Sequence, residues 1–191
     1  MEIMVATRII GVFGGLLALS SGFACGGSSV GCDPQDPASL DPFTSIDIDS
    51  AAYVELTVEP GSEQQVEIVE GSATTCVSDR VLYVNKTGDE WLTNVSVTIP
   101  EVDSINVKSA SNLAAVGETD TYEISLSSAS GASADGLIAQ RVSVDFSKDS
   151  TGQINASDAI DGNVDGGSVL VVFGGADTSG VVTNDGTIST G

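Results

Sequence analysis

The chain contains no histidine. That removes Ser-His-Asp and Cys-His catalysis, histidine proton shuttling and any histidine-ligated zinc site. Bases are also scarce: six Lys and Arg stand against 27 Asp and Glu, a formal net charge of −21, and none follows Lys148. Counterions are displaced from a phosphate backbone only by clustered cations, so nucleic acid is not an expected partner. Aromatics are 5% of residues. Only one stretch, near the start, is apolar over more than a few residues, and it is shorter than the about 20 residues a spanning helix needs. What is left is carboxylate chemistry or binding.

The 191 residues suit one domain, and a 41% hydrophobic content can supply its core. The 22 glycines, with many Ser, Thr, Asp and Val and few strong helix formers, are the composition of strands and turns. An all-β chain is expected.

The first 24 residues differ from the rest. A short head with Arg8 leads into "IIGVFGGLLAL" and the small-residue ending "SSGFAC", the pattern of a secretory signal peptide. The ending is similar to a bacterial lipobox, with Ala24 before the cleavage site and Cys25 as the lipidated residue. The usual leucine three residues before the cysteine is replaced by Gly22, with Leu19 just upstream. The alternative is an ordinary signal peptidase site with Cys25 free or disulfide-bonded. Gly26, not Asp, follows Cys25, which by the general sorting rule for bacterial lipoproteins directs such a protein to the outer membrane. Residues 25–42 are rich in Gly, Ser and Pro and read as a flexible tether, which places the domain at 43–191. Three cysteines leave one unpaired in an exported protein. If Cys25 takes the lipid, Cys32 and Cys76 can form a disulfide; otherwise they stand as two thiols.

From Phe43 onward apolar residues alternate with polar ones, as in half-buried strands. Strands are expected near 46–58, 66–69, 81–84 and 95–99, with 54–58 and 66–69 paired as a hairpin across "EPGSE" and 81–84 paired with 95–99 across "NKTGDE". Trp91, just before the last of these, reads as a core-edge residue in preference to a ligand platform. After Pro100 short apolar groups recur: "INV" at 105, "ISL" at 124, "VSVDF" at 142 and "VLVVF" at 169. Such a near-repeat is the mark of a solenoid, whose short strands acquire a core only by stacking.

The stretch "DAIDGNVDGG" at 158–167 places oxygen side chains at Asp161, Asn163 and Asp165 ahead of Gly166, like the first half of a calcium loop. The twelfth position, where a bidentate Glu belongs, is Val172. A turn between rungs is the favoured reading and a weak calcium site the other. No metal or other cofactor is expected.

"FTSIDIDSAAYVELTVEPGSEQQVEIV", followed by "VSVTIPEVDSINVKSASNL" and Ser/Gly-rich repeats, resembles the GIN-domain family, the putative auto-transporter adhesin head domain of bacterial envelope lipoproteins. The resemblance covers about residues 43–191. It implies a right-handed single-stranded β-helix, here preceded by β-hairpins, an exported or surface location, and no enzymatic activity. The family's "SGSGD" rung motif survives only as "SASN", "SSASGASAD", "SKDSTG" and "GGADTSG", so irregular rungs and a loosely held last rung are expected.

The leading functional expectation is an envelope-anchored, non-enzymatic interaction module. Its partner would be an envelope or extracellular protein or glycan, and it would meet the membrane only through a lipid anchor. A structural or sensing envelope lipoprotein is the alternative. A β-helix carbohydrate enzyme is the third, with Asp145, Asp149, Asp158 and Asp161 as the acids to consider; a hydrolase needs two carboxylates about 5 to 10 Å apart across a sugar-binding cleft.

Overall fold

The computed structural model describes residues 32–191. The stretch expected to be a signal peptide and the expected lipid site Cys25 lie outside the described residues. Among the described residues helix is confined to the 3₁₀ turn Pro37–Ser39, and everything else that is regular is strand, in agreement with the all-β expectation. The strands are β1 Ser45–Asp49, β2 Tyr53–Val58, β3 Gln65–Glu70, β4 Ala73–Ser78, β5 Val81–Lys86, β6 Asn94–Ile99, β7 Ser104–Val107, β8 Asn112–Glu118, β9 Thr121–Leu126, β10 Gly131–Phe146, β11 Thr151–Asp165, β12 Val169–Phe173, β13 Asp177–Asn184 and β14 Thr187–Thr190. They form one 14-stranded sheet that curls, barrel-like, around a single hydrophobic cluster.

Two ladders make up the sheet. The first runs β5, β1, β7, β9, the second half of β10, the second half of β11, and β13, all parallel. The second runs β6, β2, β8, the first half of β10, the first half of β11, β12 and β14, again parallel. β10 and β11 belong to both ladders because each passes the corner between them without losing strand geometry. Register partners in the second ladder follow Asn112, Gly131, Thr151, Val169 and Thr187, a steady advance of 18 to 20 residues. The second ladder is thus evenly spaced, while register shifts of β10 on β8 and β11 and of β11 on β13 show the irregularity expected from the degenerate motif.

Apolar alternation fixes which face of each strand is buried. Ile46, Ile105, Ile124 and Val144 stack in one inward column, and Ile48, Val107, Leu126, Phe146 and Val164 in the next, all at most 2% exposed. Phe146 needs room across the core, and Gly152 on the opposite ladder leaves it: a Cβ there would come 2.4 Å from the ring. Such large-to-small matching lets a chain with few aromatics fill its interior.

Both expected hairpins are corrected. β2 pairs with β6 and β8, while β3 lies antiparallel on the far side of β6. β5 and β6 do not pair; they lie on different ladders of one coil, and that coil stacks outside β1 and β2. Alternation reveals a buried face but not the neighbour that shares the hydrogen bonds. The hairpin that does exist is β4–β5, closed by Asp79 and Arg80 at φ 52° and 63°, a two-residue turn of left-handed residues without the glycine that usually signals one. β3 and β4 cap the N-terminal end of the stack.

The same end is held by the segment expected to be a tether. A disulfide joins Cys32 to Cys76 of β4. Gln35 donates its N–H to Thr75 O at 2.8 Å, and its side-chain oxygen accepts from Val77 N at 2.8 Å. Residues 32–42 are therefore part of the folded unit.

Candidate binding groove

Each coil turns twice, and its two corners are built differently. Where the first ladder leads into the second, two consecutive residues are left-handed: Ser50–Ala51, Ser109–Ala110, Ser128–Ala129, Lys148–Asp149 and Gly166–Gly167. The position after each later pair is a serine at most 2% exposed, Ser111, Ser130, Ser150 or Ser168. Ser130 Oγ and Ser150 Oγ each donate to the carbonyl three residues back, at 2.6 and 2.7 Å. Successive turns are joined by backbone hydrogen bonds, such as Ala110 N to Ser128 O and Ala129 N to Lys148 O.

This architecture corrects the reading of "DGNVDGG". Asp161, Asn163 and Asp165 lie in β11, and only Gly166 and Gly167 make the turn. Alternate strand residues share a face and stand about 6.6 Å apart along it, an extended row in place of the wrapped loop of an EF-hand. Among the described residues no cluster of three Cys, Asp or Glu could hold a metal ion. The apolar repeat is corrected as well: 105, 124 and 142 mark the first ladder, but 169 belongs to the second, and the missing first-ladder rung is Ile160, inside the supposed turn. Trp91 is fully exposed and touches no core.

The four acids considered for catalysis are solvent-exposed and dispersed. Asp145 and Asp161 face outward from the first ladder, Asp149 sits in a left-handed turn, and Asp158 pairs with Arg141 at 4.0 Å. Two other groups are perturbed. Hydrogen bonds from Ser179, first its backbone N–H and then its hydroxyl, hold the Asp177 carboxyl below the usual range. Burial pushes the Tyr122 hydroxyl far above its ordinary value, and among the described residues that hydroxyl has no hydrogen-bond partner.

The second kind of corner, from the second ladder back to the first, is variable, and there a groove opens. It encloses about 560 Å³ and is lined by corner residues of five coils, among them Pro60, Pro100, Ile138, Glu101, Glu118 and Asp120. Pro60 and Pro100 interrupt strand geometry, and Gly117, at φ 122°, bends β8 inward; a Cβ there would lie 1.9 Å from Val58 O. Ile138 stays 48% exposed because the register of β10 on β11 slips on either side of it. A second groove of about 380 Å³ adjoins, sharing Asp103 and Thr121 and adding Glu123, Arg141 and Asp161. Sequence reading missed this site because its residues are spread over about 100 positions, with no motif except the prolines.

No curated protein matches the chain. Solved structures similar to it include an adhesin described as putative from Bacteroides fragilis, at 12% identity and TM-score 0.39 over 79% of this chain and 92% of that one. Another is a putative adhesin from Parabacteroides distasonis, at 14% identity and TM-score 0.40 over 80% and 94%. A third, from the same organism, is described as a putative lipid binding protein, at 12% identity and TM-score 0.35 over 80% and 94%. Residues 104–176, the run of rungs from β7 to the start of the β13 corner, match the family model described as putative auto-transporter adhesin, head GIN domain.

Proposed function

We propose that the protein is a non-enzymatic interaction module carried on the cell envelope, wound as a right-handed single-stranded β-helix and held at the outer membrane by a lipid on Cys25. The observation that supports binding over reaction is the groove itself: a wide, open surface made by the corners of five stacked coils, its carboxylates solvated and set side by side instead of across a cleft. Rigid strands on either side hold such a surface in place without any part having to move. With Cys32 and Cys76 bonded to each other, Cys25 is the cysteine of the three left for a lipid. The match of residues 104–176 to an adhesin-like family model supports an envelope or surface location.

The test is retention of envelope fractions and a glycan array by the purified full-length chain. Saturable binding to either supports the reading, and none to any fraction rejects it. Membrane partitioning before and after Cys25→Ser tests the anchor: the substitution should release the protein into the soluble fraction.

A further inference from the structure

The groove's chemistry selects its occupant. Its lining combines apolar Pro60, Pro100 and the exposed Ile138 with the acids Glu101, Asp103, Glu118 and Asp120, and holds no base. Glu101 shares Arg80 at 3.7 Å across solvent, and Asp103 accepts from the Thr44 hydroxyl at 2.6 Å. Among the described residues Glu118 has no ion-pair partner, and the Asp120 side chain accepts from the Gln140 amide alone, at 3.1 Å. The adjoining groove continues the acidic lining with Glu123 and Asp161; its one base, Arg141, is turned to Asp158. Corners of neighbouring coils are about 4.8 Å apart, inside the Debye length of about 8 Å at physiological salt, so these carboxylates act on a bound cation together. Five coils span about 19 Å at that spacing, the reach of about six extended residues.

We propose that this trough binds an extended cationic polypeptide segment in which Lys or Arg alternates with apolar residues, the bases meeting Glu118, Asp120 and the adjoining acids while the apolar side chains settle on Pro60, Pro100 and Ile138. The proposal rests on the interaction-module reading and narrows its partner to a polypeptide. A chain of net charge −21 attracts any polycation, so the experiment has to separate the groove from the general field.

Fluorescence anisotropy of a labelled alternating Lys-Leu decapeptide is measured against the full-length chain at physiological salt, beside Lys-Ser and Glu-Leu decapeptides. The double substitution Glu118→Gln with Asp120→Asn should weaken Lys-Leu binding about tenfold, since two lining charges are lost. Asp149→Asn with Asp185→Asn removes the same charge at the opposite corner and should leave affinity within about twofold. Ile138→Ser should weaken Lys-Leu and leave Lys-Ser unchanged. Equal losses in both double variants would show general polyanion attraction and overturn the proposal. So would Lys-Ser or Glu-Leu binding as tightly as Lys-Leu. If the proposal is overturned while envelope fractions or glycans still bind, the interaction reading stands and its site lies elsewhere; if every probe and fraction fails to bind, both fall.

Discussion

The two corners of each coil solve the same problem in opposite ways. At the first-to-second corner the chain reverses through two left-handed residues and a buried serine, repeated with an advance of 18 to 20 residues from Ser109 to Ser168. At the opposite corner the path varies: Pro100 opens one, Gly117 leads into another, and β10 and β11 run through two more as unbroken strands with register slips. The uniform corner stacks because each turn's backbone groups meet those of the next, so any deviation would leave them unpaired. The variable corner is also bridged by backbone hydrogen bonds, such as Thr119 N to Ile138 O and Gln140 N to Asp120 O, but its path differs from coil to coil, and there the surface can be shaped for contact. Uniformity marks what the fold needs, and variation marks where a partner can be met.

The sharpest way to break this contrast is at Gly117. It borders the groove corner and is as rigid as the other side, since a Cβ would collide with Val58 O and φ is 122°. Gly117→Val should lower stability by about 3 kcal/mol or more, combining backbone strain with a clash against the neighbouring strand. Denaturant unfolding reads this; a loss under about 1 kcal/mol would mean that β8 can shift, and that the groove corner is pliable even there.

The uniform corner should respond less per site but equally at each site. Ser130 and Ser150 are buried and donate to the carbonyls of Ser127 and Ser147. Removing either hydroxyl should lower stability by about 1 kcal/mol, because a buried carbonyl loses a donor. Ser130→Ala and Ser150→Ala measured together test the repeat directly: effects differing by more than about twofold would show that the turns are alike in outline only.

What the sequence made legible follows from the same contrast. Period-two alternation in "IDID", "VELTV" and "VSVTI" identified strands and their buried faces, because burial is written residue by residue. Stacking order was not, since β5 and β6 insert outside β1 and β2 through backbone pairing that no side chain announces. The left-handed pairs were hidden for a related reason: Ser, Ala, Lys and Asp occupy positions where glycine is the usual signal. Asp161 and Asn163 were read as turn formers although β11 needs them only as outward-facing strand residues. The groove was invisible because proximity across five coils is a property of the stack and not of any segment.

Tyr122 lies just past the groove corner, and its unpartnered hydroxyl contrasts with the satisfied hydroxyls of Ser130 and Ser150. Tyr122→Phe should therefore be neutral or stabilise by up to about 1 kcal/mol, since a buried polar group without a partner is removed. The phenol also sets a pH window. Its folded-state value is raised by burial, so the contribution is whole below the ordinary tyrosine value of about 10 and is lost as pH rises above it, where the unfolded chain ionises first. Unfolding followed from pH 8 to 11 should show stability falling at the alkaline end, less steeply in Tyr122→Phe; parallel curves would mean that the hydroxyl reaches water.

The smallest effect on stability is expected where the effect on binding is largest. Glu118 and Asp120 are exposed, and of the two only Asp120 makes a side-chain hydrogen bond, to Gln140, which Asn can still accept through its oxygen. Replacing both by their amides should change stability by less than about 0.5 kcal/mol. The sign should be favourable, because two like charges are taken from a row that already includes Glu101, Asp103 and Glu123, and the gain should shrink as salt rises and screens the row. Thermal unfolding of both forms in low and high salt checks this. A clear loss of stability at either salt concentration would show that these carboxylates hold the corner together, which would make the second corner structural like the first and remove the distinction on which the binding assignment rests.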